Sequence, residues 1–313
     1  MTDATHSYRK IAYDLRRAKQ VERRMMFDAL QILSRANFDI GEYQYTGFGS
    51  IFFVDFQLFH KYLGVTRLLN VEHVEGIQKR VEFNKPFDLV DLAFTSAAEV
   101  IPKLSVDRKH ILWLDYDDHL KDWMLQDVVS ALSRLAVGSL VLVTVDVEPP
   151  IRNGNPEDWE GYFRQQAGPF IPHTWTTEHF GRDKLPTVVR QLLARAIQSA
   201  LTYREEVSFS PLFSFLYADT HEMYTVGGMV TSAKERRQLR QADFDSSPYV
   251  RRSLDEEPYR IRVPNLTRKE RLYLDAHMPG PAGWTPADFE LDGDEVAAYR
   301  EIYRYYPNYV EAF

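Results

Sequence analysis

The densest polar cluster of the sequence comes directly after an apolar run. Residues 110–115 read HILWLD, and Asp115 and Asp117 stand at the end of this run and just beyond it. A second apolar run, residues 139–146, ends at Asp146. A carboxylate held beside an acceptor atom can take a proton from it as a general base. We therefore predict that Asp115, Asp117 and Asp146 are catalytic.

Asp117 and its neighbour Asp118 also suit a structural role. The spacing of apolar residues predicts a helix from Leu120 to Leu135. A carboxylate just before a helix accepts hydrogen bonds from backbone N–H groups and is favoured by the helix dipole. Either aspartate could therefore cap this helix, whereas Asp115 ends the strand itself and is the stronger candidate for chemistry.

A glycine-containing turn precedes this cluster in the chain. Gly47-Phe48-Gly49-Ser50 lies between a strand-like segment, residues 42–46, and a helical segment, residues 53–63. Glycine lets a chain turn sharply and lets its backbone approach a ligand closely. Glu72 ends the next predicted strand, where a carboxylate can accept hydrogen bonds from ribose hydroxyls. The combination indicates a nucleoside site, although an α/β domain without a ligand can carry the same turn.

The turn lacks one part of the dinucleotide fingerprint. That fingerprint has a third glycine where the helix packs against the strand, and this chain has Phe52 at that position. A pyrophosphate at the helix terminus is therefore not indicated. A nucleoside cofactor without a phosphate, such as S-adenosylmethionine (SAM), does not need the third glycine.

Five predicted strands position these residues. They alternate with predicted helices and are nearly continuous apolar runs, which is typical of a parallel sheet covered on both faces. Right-handed crossovers give a doubly wound, Rossmann-like α/β fold with its site at the carboxyl ends of the strands. The predicted strands span residues 42–46, 67–72, 88–93, 110–115 and 139–146.

The pattern changes after the fifth strand. An aromatic-rich loop, residues 149–172, could roof an acceptor pocket or form a plain surface excursion. Residues 212–218 and 223–231 are predicted to form a β-hairpin, in which Gly227-Gly228 indicates a bulge or a close approach of backbones. We divide the chain into an N-terminal helix (1–40), a central domain (41–231) and a C-terminal helical extension (232–313).

The composition excludes several classes of protein. The 313-residue chain has no cysteine, which rules out disulfides, thiolate metal sites and cysteine nucleophiles. With 18 Tyr and 19 Phe, it can build a sizeable core, which excludes disorder. The polar N-terminus and the short apolar runs predict neither a signal peptide nor a membrane span, and hence a cytoplasmic protein.

Charge is distributed unevenly along the chain. The net charge is -7, yet residues 1–36 and residues 232–271 each carry about +4. Basic segments on an acidic body could contact nucleic acid through residues 7–36 and 232–271, or they could be solvated helix faces. Both interpretations fit the sequence.

Together these features resemble the class I SAM-dependent methyltransferases. The late hairpin supports the resemblance, because the sheet of these enzymes ends with one reversed strand, whereas a dehydrogenase sheet normally stays parallel. More narrowly, the chain is similar to bacterial proteins labelled putative O-methyltransferases. The implied fold is a mostly parallel methyltransferase sheet with a C-terminal antiparallel hairpin. The residues that carry the resemblance are Tyr45-Thr46-Gly47-Phe48-Gly49-Ser50, Asn70-Val71-Glu72 and Leu114-Asp115-Tyr116-Asp117.

The resemblance implies SAM as the cofactor and a place for each part of it. Gly47 and Gly49 would face the methionine and ribose portions, and Glu72 would bind the ribose hydroxyls. Thr95-Ser96 would lie near the adenine, and Asp115 near the methionine amino group or the acceptor. The implied cofactor-binding residues are Tyr45, Gly47, Gly49, Ser50, Glu72, His73, Thr95, Ser96 and Asp115.

The resemblance also bears on a metal and on the acceptor. Metal-dependent O-methyltransferases hold Mg²⁺ with acids at the fourth and fifth strand ends, here Asp115 and Asp146, and usually place an amide next. This chain has Val147 there, so we predict no metal. Many amino-methyltransferases carry an Asn/Asp-Pro-Pro-aromatic turn, which residues 115–118 lack. Both oxygen and nitrogen acceptors stay open.

Two functions are compatible with the sequence. The first is an enzyme that transfers a methyl group from SAM to an oxygen or nitrogen acceptor. The alternative is a catalytically silent methyltransferase-like subunit that serves as a scaffold or ligand sensor in a larger complex, which could contact nucleic acid. A protein complex or a homo-oligomer is compatible with either function.

Overall fold

The computed structural model describes residues 16–307. Within this range the chain forms one eight-stranded sheet with helices on both faces. The strands are β1 (Gln44–Gly47), β2 (Arg67–Val71), β3 (Val90–Ala93), β4 (His110–His119), β5 (Leu140–Asp146), β6 (Ser208–Ala218), β7 (Glu222–Thr231) and β8 (Tyr259–Ile261). The helices are α1 (Arg17–Arg35), α2 (Val54–Leu63), α3 (Gln78–Asn84), α4 (Ala97–Val100), α5 (Asp122–Arg134), α6 (Pro156–Ala167), α7 (Leu185–Leu201), α8 (Ala233–Gln241), α9 (Arg268–His277) and α10 (Gly293–Ile302).

The order of strands across the sheet is β3-β2-β1-β4-β5-β7-β6-β8. Strands β1 to β5 are parallel, and β7 runs antiparallel to both of its neighbours, β5 and β6. The predicted doubly wound sheet with a late antiparallel hairpin is thereby confirmed. Because the sheet order reverses beside β1, the carboxyl ends of β1 and β4 border the crevice where such folds bind ligands.

Two apolar cores cover the two faces of the sheet. One core packs α1, α2 and the C-terminal helices against one face, and the other packs α4, α5 and α7 against the opposite face. All seven residues of β5 are buried, which explains why this strand is a continuous apolar run in the sequence. The strand therefore reaches the ligand-binding edge from the centre of the molecule.

The N-terminal helix is shorter in the described structure than the predicted one. The apolar pattern predicts a helix over residues 7–36, and α1 begins at Arg17; residues 7–15 of this prediction lie outside the described residues. Helix α1 buries apolar residues including Val21, Met25 and Leu33. It packs across the sheet face near α2 and β6.

The hairpin contains the predicted close backbone approach. A Cβ atom on Gly228 would lie 2.3 Å from the Ser210 carbonyl oxygen, and a Cβ atom on Gly227 would lie 2.8 Å from Leu142 Cγ. The register shifts on the opposing strand, between Pro211 and Phe213. These glycines therefore let β7 pack tightly between β5 and β6.

The C-terminal segment differs from the predicted helical extension in one respect. Within residues 232–307 it forms α8, α9 and α10, but it also adds β8, which pairs with β6 and lengthens the main sheet. Three residues are too few to give a strand pattern in the sequence. None of the described helices is both long and apolar enough to span a membrane.

Candidate active site

The predicted site residues meet at one edge of the sheet. Gly47, the last residue of β1, lies between Asn70 of β2 and Trp113 of β4. Two residues beyond these neighbours come Glu72 and Asp115. The structure therefore brings the glycine turn, Glu72 and Asp115 together at the carboxyl ends of three adjacent strands.

The turn after β1 is fastened to β2. The Gly49 N–H donates a hydrogen bond to Asn70 Oδ1 at 2.6 Å, and Asn70 is fully buried. A Cβ atom on Gly49 would lie 2.8 Å from this oxygen and 2.8 Å from the Phe56 ring. Ser50 follows with a φ of 50°, in the left-handed region. Glycine at position 49 is thus required by the packing of the turn against β2.

Tyr45 precedes the glycine turn in β1. Its side chain is buried beneath the turn, where its ring stacks on Phe59 at a centroid distance of 4.0 Å. Burial raises the pKa of its hydroxyl well above the ordinary value. The side chain of Tyr45 therefore packs in the core on the α2 side of the sheet, because alternate residues of a strand face opposite sides. Its contact with a cofactor stays a prediction.

Glu72 stands at the cleft, just beyond β2. Its Oε1 accepts a hydrogen bond from the Val74 N–H at 2.9 Å, and its own N–H donates to the Ala93 carbonyl at 2.9 Å. The neighbouring His73 is 81% exposed, with Nδ1 4.0 Å from Glu72 Oε1. A carboxylate has further lone pairs to offer, so Glu72 can accept ribose hydroxyls while it holds its loop.

Thr95 and Ser96 follow β3, the next strand outward. Thr95 is half-buried, whereas Ser96 is exposed at the start of α4. Their position beyond the end of β3 is the one that the methyltransferase resemblance implies for the adenine end of the cofactor. Their contact with a cofactor stays a prediction.

Asp115 is paired with a lysine of the first basic segment, residues 7–36, which we expected to lie on a helix surface. Lys19 Nζ of α1 lies 2.7 Å from Asp115 Oδ1, 2.9 Å from Glu22 Oε2 and 3.1 Å from the Tyr217 hydroxyl. The ammonium also lies 4.4 Å from the centroid of the Trp113 ring. The Lys19 side chain is fully buried. A long-range ion pair therefore ties α1 to the end of β4.

This ion pair changes the chemistry expected of Asp115. Burial alone would raise the pKa of its carboxyl group, but Lys19, with Arg23 and Arg16, holds that pKa below the ordinary value. A general base works best with a pKa near the working pH. Asp115 is therefore better suited to hold a cationic ligand group than to remove a proton.

Asp117 and Asp118 do not cap the following helix, so that interpretation is wrong. Strand β4 continues to His119, and the N-cap of α5 is Lys121. Asp118 instead accepts a hydrogen bond from the His119 N–H and pairs with the Lys121 ammonium. Asp117 is exposed on the irregular part of β4, where the register against β5 shifts.

The shift brings His119 beside Asp146. Asp115 pairs with Thr144 of β5, whereas His119 pairs with Asp146, so β4 uses extra residues to reach the next carboxylate. Asp146 Oδ2 lies 3.1 Å from His221 Nδ1, and its Oδ1 lies 3.6 Å from His119 Nδ1. The Glu148 N–H also donates to Asp146 Oδ1 at 2.7 Å.

His119 and His221 are functional candidates that sequence reasoning missed. His119 closes the acidic cluster after the fourth strand, so its position could have been noted there. His221 lies in the β6–β7 turn, and its approach to Asp146 follows from the antiparallel pairing of β5 with β7. This contact could not be predicted from residue spacing, because it depends on the pairing of two distant strands.

Several aromatic rings lie near the carboxyl-terminal part of β4. Phe48 of the glycine turn lies 5.4 Å from the Tyr116 ring, which lies 5.1 Å from the ring of Trp123. Trp123 is 49% exposed. Tyr162 of α6 lies 6.3 Å from the His119 ring. Part of the predicted aromatic loop is thus a helix that brings Tyr162 over the end of β4.

The described residues contain no group of three or more His, Asp or Glu side chains arranged to hold a metal ion. The two acids that metal-dependent enzymes would use are engaged separately. Asp115 contacts Lys19, whereas Asp146 contacts His221 and the Glu148 backbone.

A comparison with protein families decides the class of protein. The model of the family described as "Putative O-methyltransferase" matches residues 11–313. The chain belongs to this family. SAM is accordingly its cofactor, and the cofactor prediction is confirmed.

Solved methyltransferase structures are distantly similar to this family member. Trm1 of Pyrococcus horikoshii, solved with SAM, has a TM-score of 0.43 and 11% identity, over 71% of this chain and 57% of that chain. TomG of Streptomyces achromogenes, an O-methyltransferase solved with SAM, has a TM-score of 0.37 and 15% identity, over 66% and 80%. A fibrillarin of Methanococcus jannaschii has a TM-score of 0.36 and 7% identity, over 62% and 70%. No curated protein sequence matches the chain.

The side chains at the edge fit SAM. SAM is a nucleoside with no phosphate, so its ribose would need a carboxylate and its body a closely packed turn, and Glu72 and the turn at residues 47–50 have the chemistry to supply both. Its methionine ammonium would need a negative charge, and the lowered pKa of Asp115 beside Lys19 keeps that carboxyl group ionised.

The two basic segments lie in different environments. In α1, Lys19 pairs with Asp115 and Arg23 pairs with Asp55, and Arg16, just before α1, lies 3.4 Å from Asp219. These three cations are therefore paired with carboxylates of the same chain. Helix α8, which begins the second segment, follows β7 at the amino edge of the parallel strands, because Met229 pairs with Leu140 at the start of β5. It is therefore at the opposite edge from Glu72 and Asp115.

Proposed function

We propose that this family member transfers the methyl group of SAM to an oxygen acceptor at the carboxyl edge of its sheet. One observation carries the proposal: the glycine turn, Glu72 and Asp115 lie at the ends of adjacent strands, in the crevice beside β1 and β4. SAM, when bound, supplies an electrophilic methyl group on a sulfonium. The protein's task is then to bind it, orient the acceptor and manage one proton.

Each of the three groups has a role in binding. Glu72 accepts hydrogen bonds from the ribose hydroxyls, and the turn at residues 47–50 lies against the body of the cofactor. Asp115 holds the methionine ammonium with the oxygen that Lys19 does not bind. Thr95 and Ser96 border the adenine. The ion pair with Lys19 keeps Asp115 in a fixed orientation, so little ordering is needed when the ligand arrives.

Two observations support oxygen as the acceptor. The family description is that of O-methyltransferases. In addition, Asp146 lies between two histidines at the end of β5, where proton-accepting groups are needed if a hydroxyl is to react. Membership of this enzyme family also favours catalysis over the silent scaffold or sensor.

Calorimetric titration with SAM tests the cofactor site. The Glu72→Gln variant keeps the size of the side chain and loses its charge, and we expect its dissociation constant for SAM to rise about 10- to 100-fold, the value of a charge-assisted hydrogen bond. Glu82→Gln, at an exposed position of α3, is the matched control and should bind as the unmodified protein does. Absence of SAM binding by the unmodified protein, or equal affinity in the Glu72→Gln variant, would contradict the proposal.

A further inference from the structure

Resting on the proposed function, we propose that His119 is the general base that removes the proton from a phenolic hydroxyl of the acceptor, and that Asp146 positions its ring. Neither histidine beside Asp146 has a part in SAM binding as described above. Of the two, His119 is on β4, next to the strand that carries the cofactor turn, whereas His221 is in the hairpin turn beyond β5.

The His119 ring has one nitrogen turned inward and one side open to solvent. Its Nδ1 is buried, and within residues 16–307 no group hydrogen-bonds to it, although Asp146 Oδ1 lies 3.6 Å away. Its side chain remains 24% exposed. A base is often held loosely without its substrate, and the contact tightens in the reacting complex. The ring is thus placed to turn Nδ1–H toward Asp146 and present Nε2 to the acceptor.

Asp146 is held firmly enough to orient a ring. It is buried, and the Glu148 N–H and His221 Nδ1 each contact one of its carboxylate oxygens. A carboxylate behind an imidazole fixes its tautomer and stabilises the imidazolium formed when it takes a proton. Asp146 therefore acts through His119 and need not touch the acceptor.

The other groups that face His119 do not compete for the proton. Asp118 is adjacent in β4 and is paired with Lys121. Tyr162 of α6 faces the ring, and burial, together with Asp118 and Asp146, raises the pKa of its hydroxyl to about 12. Tyr162 stays protonated at neutral pH and can donate to the acceptor oxygen or stack on an acceptor ring.

Aromatic surroundings favour a phenol over an aliphatic alcohol. The Tyr162 ring lies 6.3 Å from the His119 ring, so an acceptor whose hydroxyl reaches His119 would meet an aromatic ring there. Tyr116, which precedes His119 in β4, contacts Phe48 of the glycine turn and the half-exposed Trp123 at ring distances of 5.4 and 5.1 Å. Aromatic rings at such distances attract one another beyond simple burial. A planar acceptor would therefore gain affinity from this edge.

The reaction balances with no further reactant. The acceptor O–H bond breaks and its proton goes to His119 Nε2, the freed oxygen pair forms the bond to the methyl carbon, and the pair of the carbon–sulfur bond stays on sulfur. The products are the methyl ether and S-adenosylhomocysteine. The imidazolium of His119 then returns its proton to solvent.

Methyl transfer from labelled SAM to phenol and to the more acidic 4-nitrophenol tests the step. We expect His119→Gln to lower kcat for phenol by about 100-fold or more, with less than about tenfold loss for 4-nitrophenol, which ionises without help. Added imidazole should restore part of the phenol activity of a His119→Gly variant.

The competing candidate, His221, is tested in the same assay. Its His221→Gln variant should lose much less phenol activity than His119→Gln. A reversed ranking of the two variants would overturn the assignment of His119. Binding of SAM by calorimetry without methylation of either phenol would overturn the acceptor class, while leaving the proposed cofactor site intact.

A chemical readout independent of turnover uses diethyl pyrocarbonate, which modifies accessible imidazoles. With S-adenosylhomocysteine bound, adding 4-nitrophenol should slow modification of His119 at least threefold, as mapped by mass spectrometry. His277, exposed on α9, is the control and should react equally in both samples. Unchanged reactivity of His119 would contradict its contact with the acceptor.

Discussion

Lys19 and Asp115 are 96 residues apart in the chain, and their side chains meet at 2.7 Å. The lysine is fully buried, and it also contacts the carboxylate of Glu22. The buried carboxylate of Glu22 and the partly exposed carboxylate of Asp115 thus share one buried ammonium at the place where α1 crosses the end of β4. The N-terminal helix is in this way part of the active-site edge.

Removal of the ammonium should destabilise the fold strongly. Lys19→Met keeps an apolar chain of similar length and removes the cation from the buried Glu22 and the partly exposed Asp115. Breaking a buried ion pair costs about 3–5 kcal/mol, and we expect a loss of that size in urea unfolding. Lys79→Met, at an exposed position of α3, is the matched control and should change little. The double variant Lys19→Met/Asp115→Asn should recover part of the loss, since it removes one of the orphaned charges; strictly additive losses would show that the pair is not coupled.

The same cluster should shape the stability of the protein in acid. The pKa of Asp115 is held below 3.8, so the folded state keeps it ionised where the unfolded chain protonates it. Its contribution is present above about pH 3.8 and is lost as the pH falls through the folded pKa. Unfolding free energies measured from about pH 5 to about pH 3 should therefore fall less in Asp115→Asn than in the unmodified protein.

Glu22 should show the opposite sign. Burial raises its pKa above 4.5, and Lys19 only partly offsets this. Its contribution to stability is present below about pH 4.5 and is lost as the pH rises through the folded pKa. The fall of stability in acid should thus be steeper in Glu22→Gln and shallower in Asp115→Asn. Asp107→Asn, in an exposed loop, should leave the slope unchanged, and equal slopes in all variants would refute the assigned shifts.

The glycine turn should tolerate no side chain at its second glycine. In Gly49→Ala the new Cβ would lie 2.8 Å from Asn70 Oδ1 and 2.8 Å from the Phe56 ring. Overpacking of this kind costs about 1–3 kcal/mol, and displacement of the turn should also weaken SAM binding measured by calorimetry. Gly161→Ala, within α6 and with no atom within 4 Å of the new Cβ, should instead stabilise the protein by about 0.5–1 kcal/mol.

Asp219 of the β6–β7 turn should anchor the start of α1. Its carboxylate accepts the N–H groups of Ala18 at 2.8 Å and Lys19 at 3.1 Å. Loss of such a cap in Asp219→Ala should cost about 1–2 kcal/mol and should speed limited proteolysis near residue 17. Asp107→Ala serves as the control. Unaltered cleavage in Asp219→Ala would mean that other contacts hold the helix end.

The features that depend on neighbouring residues could be predicted from the sequence. Apolar runs predict the parallel strands, and the ends of these runs predict the positions of the glycine turn, Glu72, Asp115 and Asp146. The partners of these groups depend on tertiary structure instead. Lys19 reaches Asp115 only because α1 crosses β4, and His119 reaches Asp146 only because the β4 register slips against β5. The inward orientation of Tyr45 depends on which face of β1 meets α2, and a four-residue strand does not reveal that choice.

Helix α8 lies at the amino edge of the parallel strands, opposite the carboxyl edge that carries Glu72. It exposes the side chains of Lys234, Arg237 and Arg240 there. The molecule consequently has a site for immobilisation that is remote from the crevice. Attachment to a sensor chip or resin through Lys234 would leave the crevice facing the solution. Coupling at residues 16–18 would instead disturb the contact between Asp219 and the start of α1. That position is therefore the poorer choice for binding measurements.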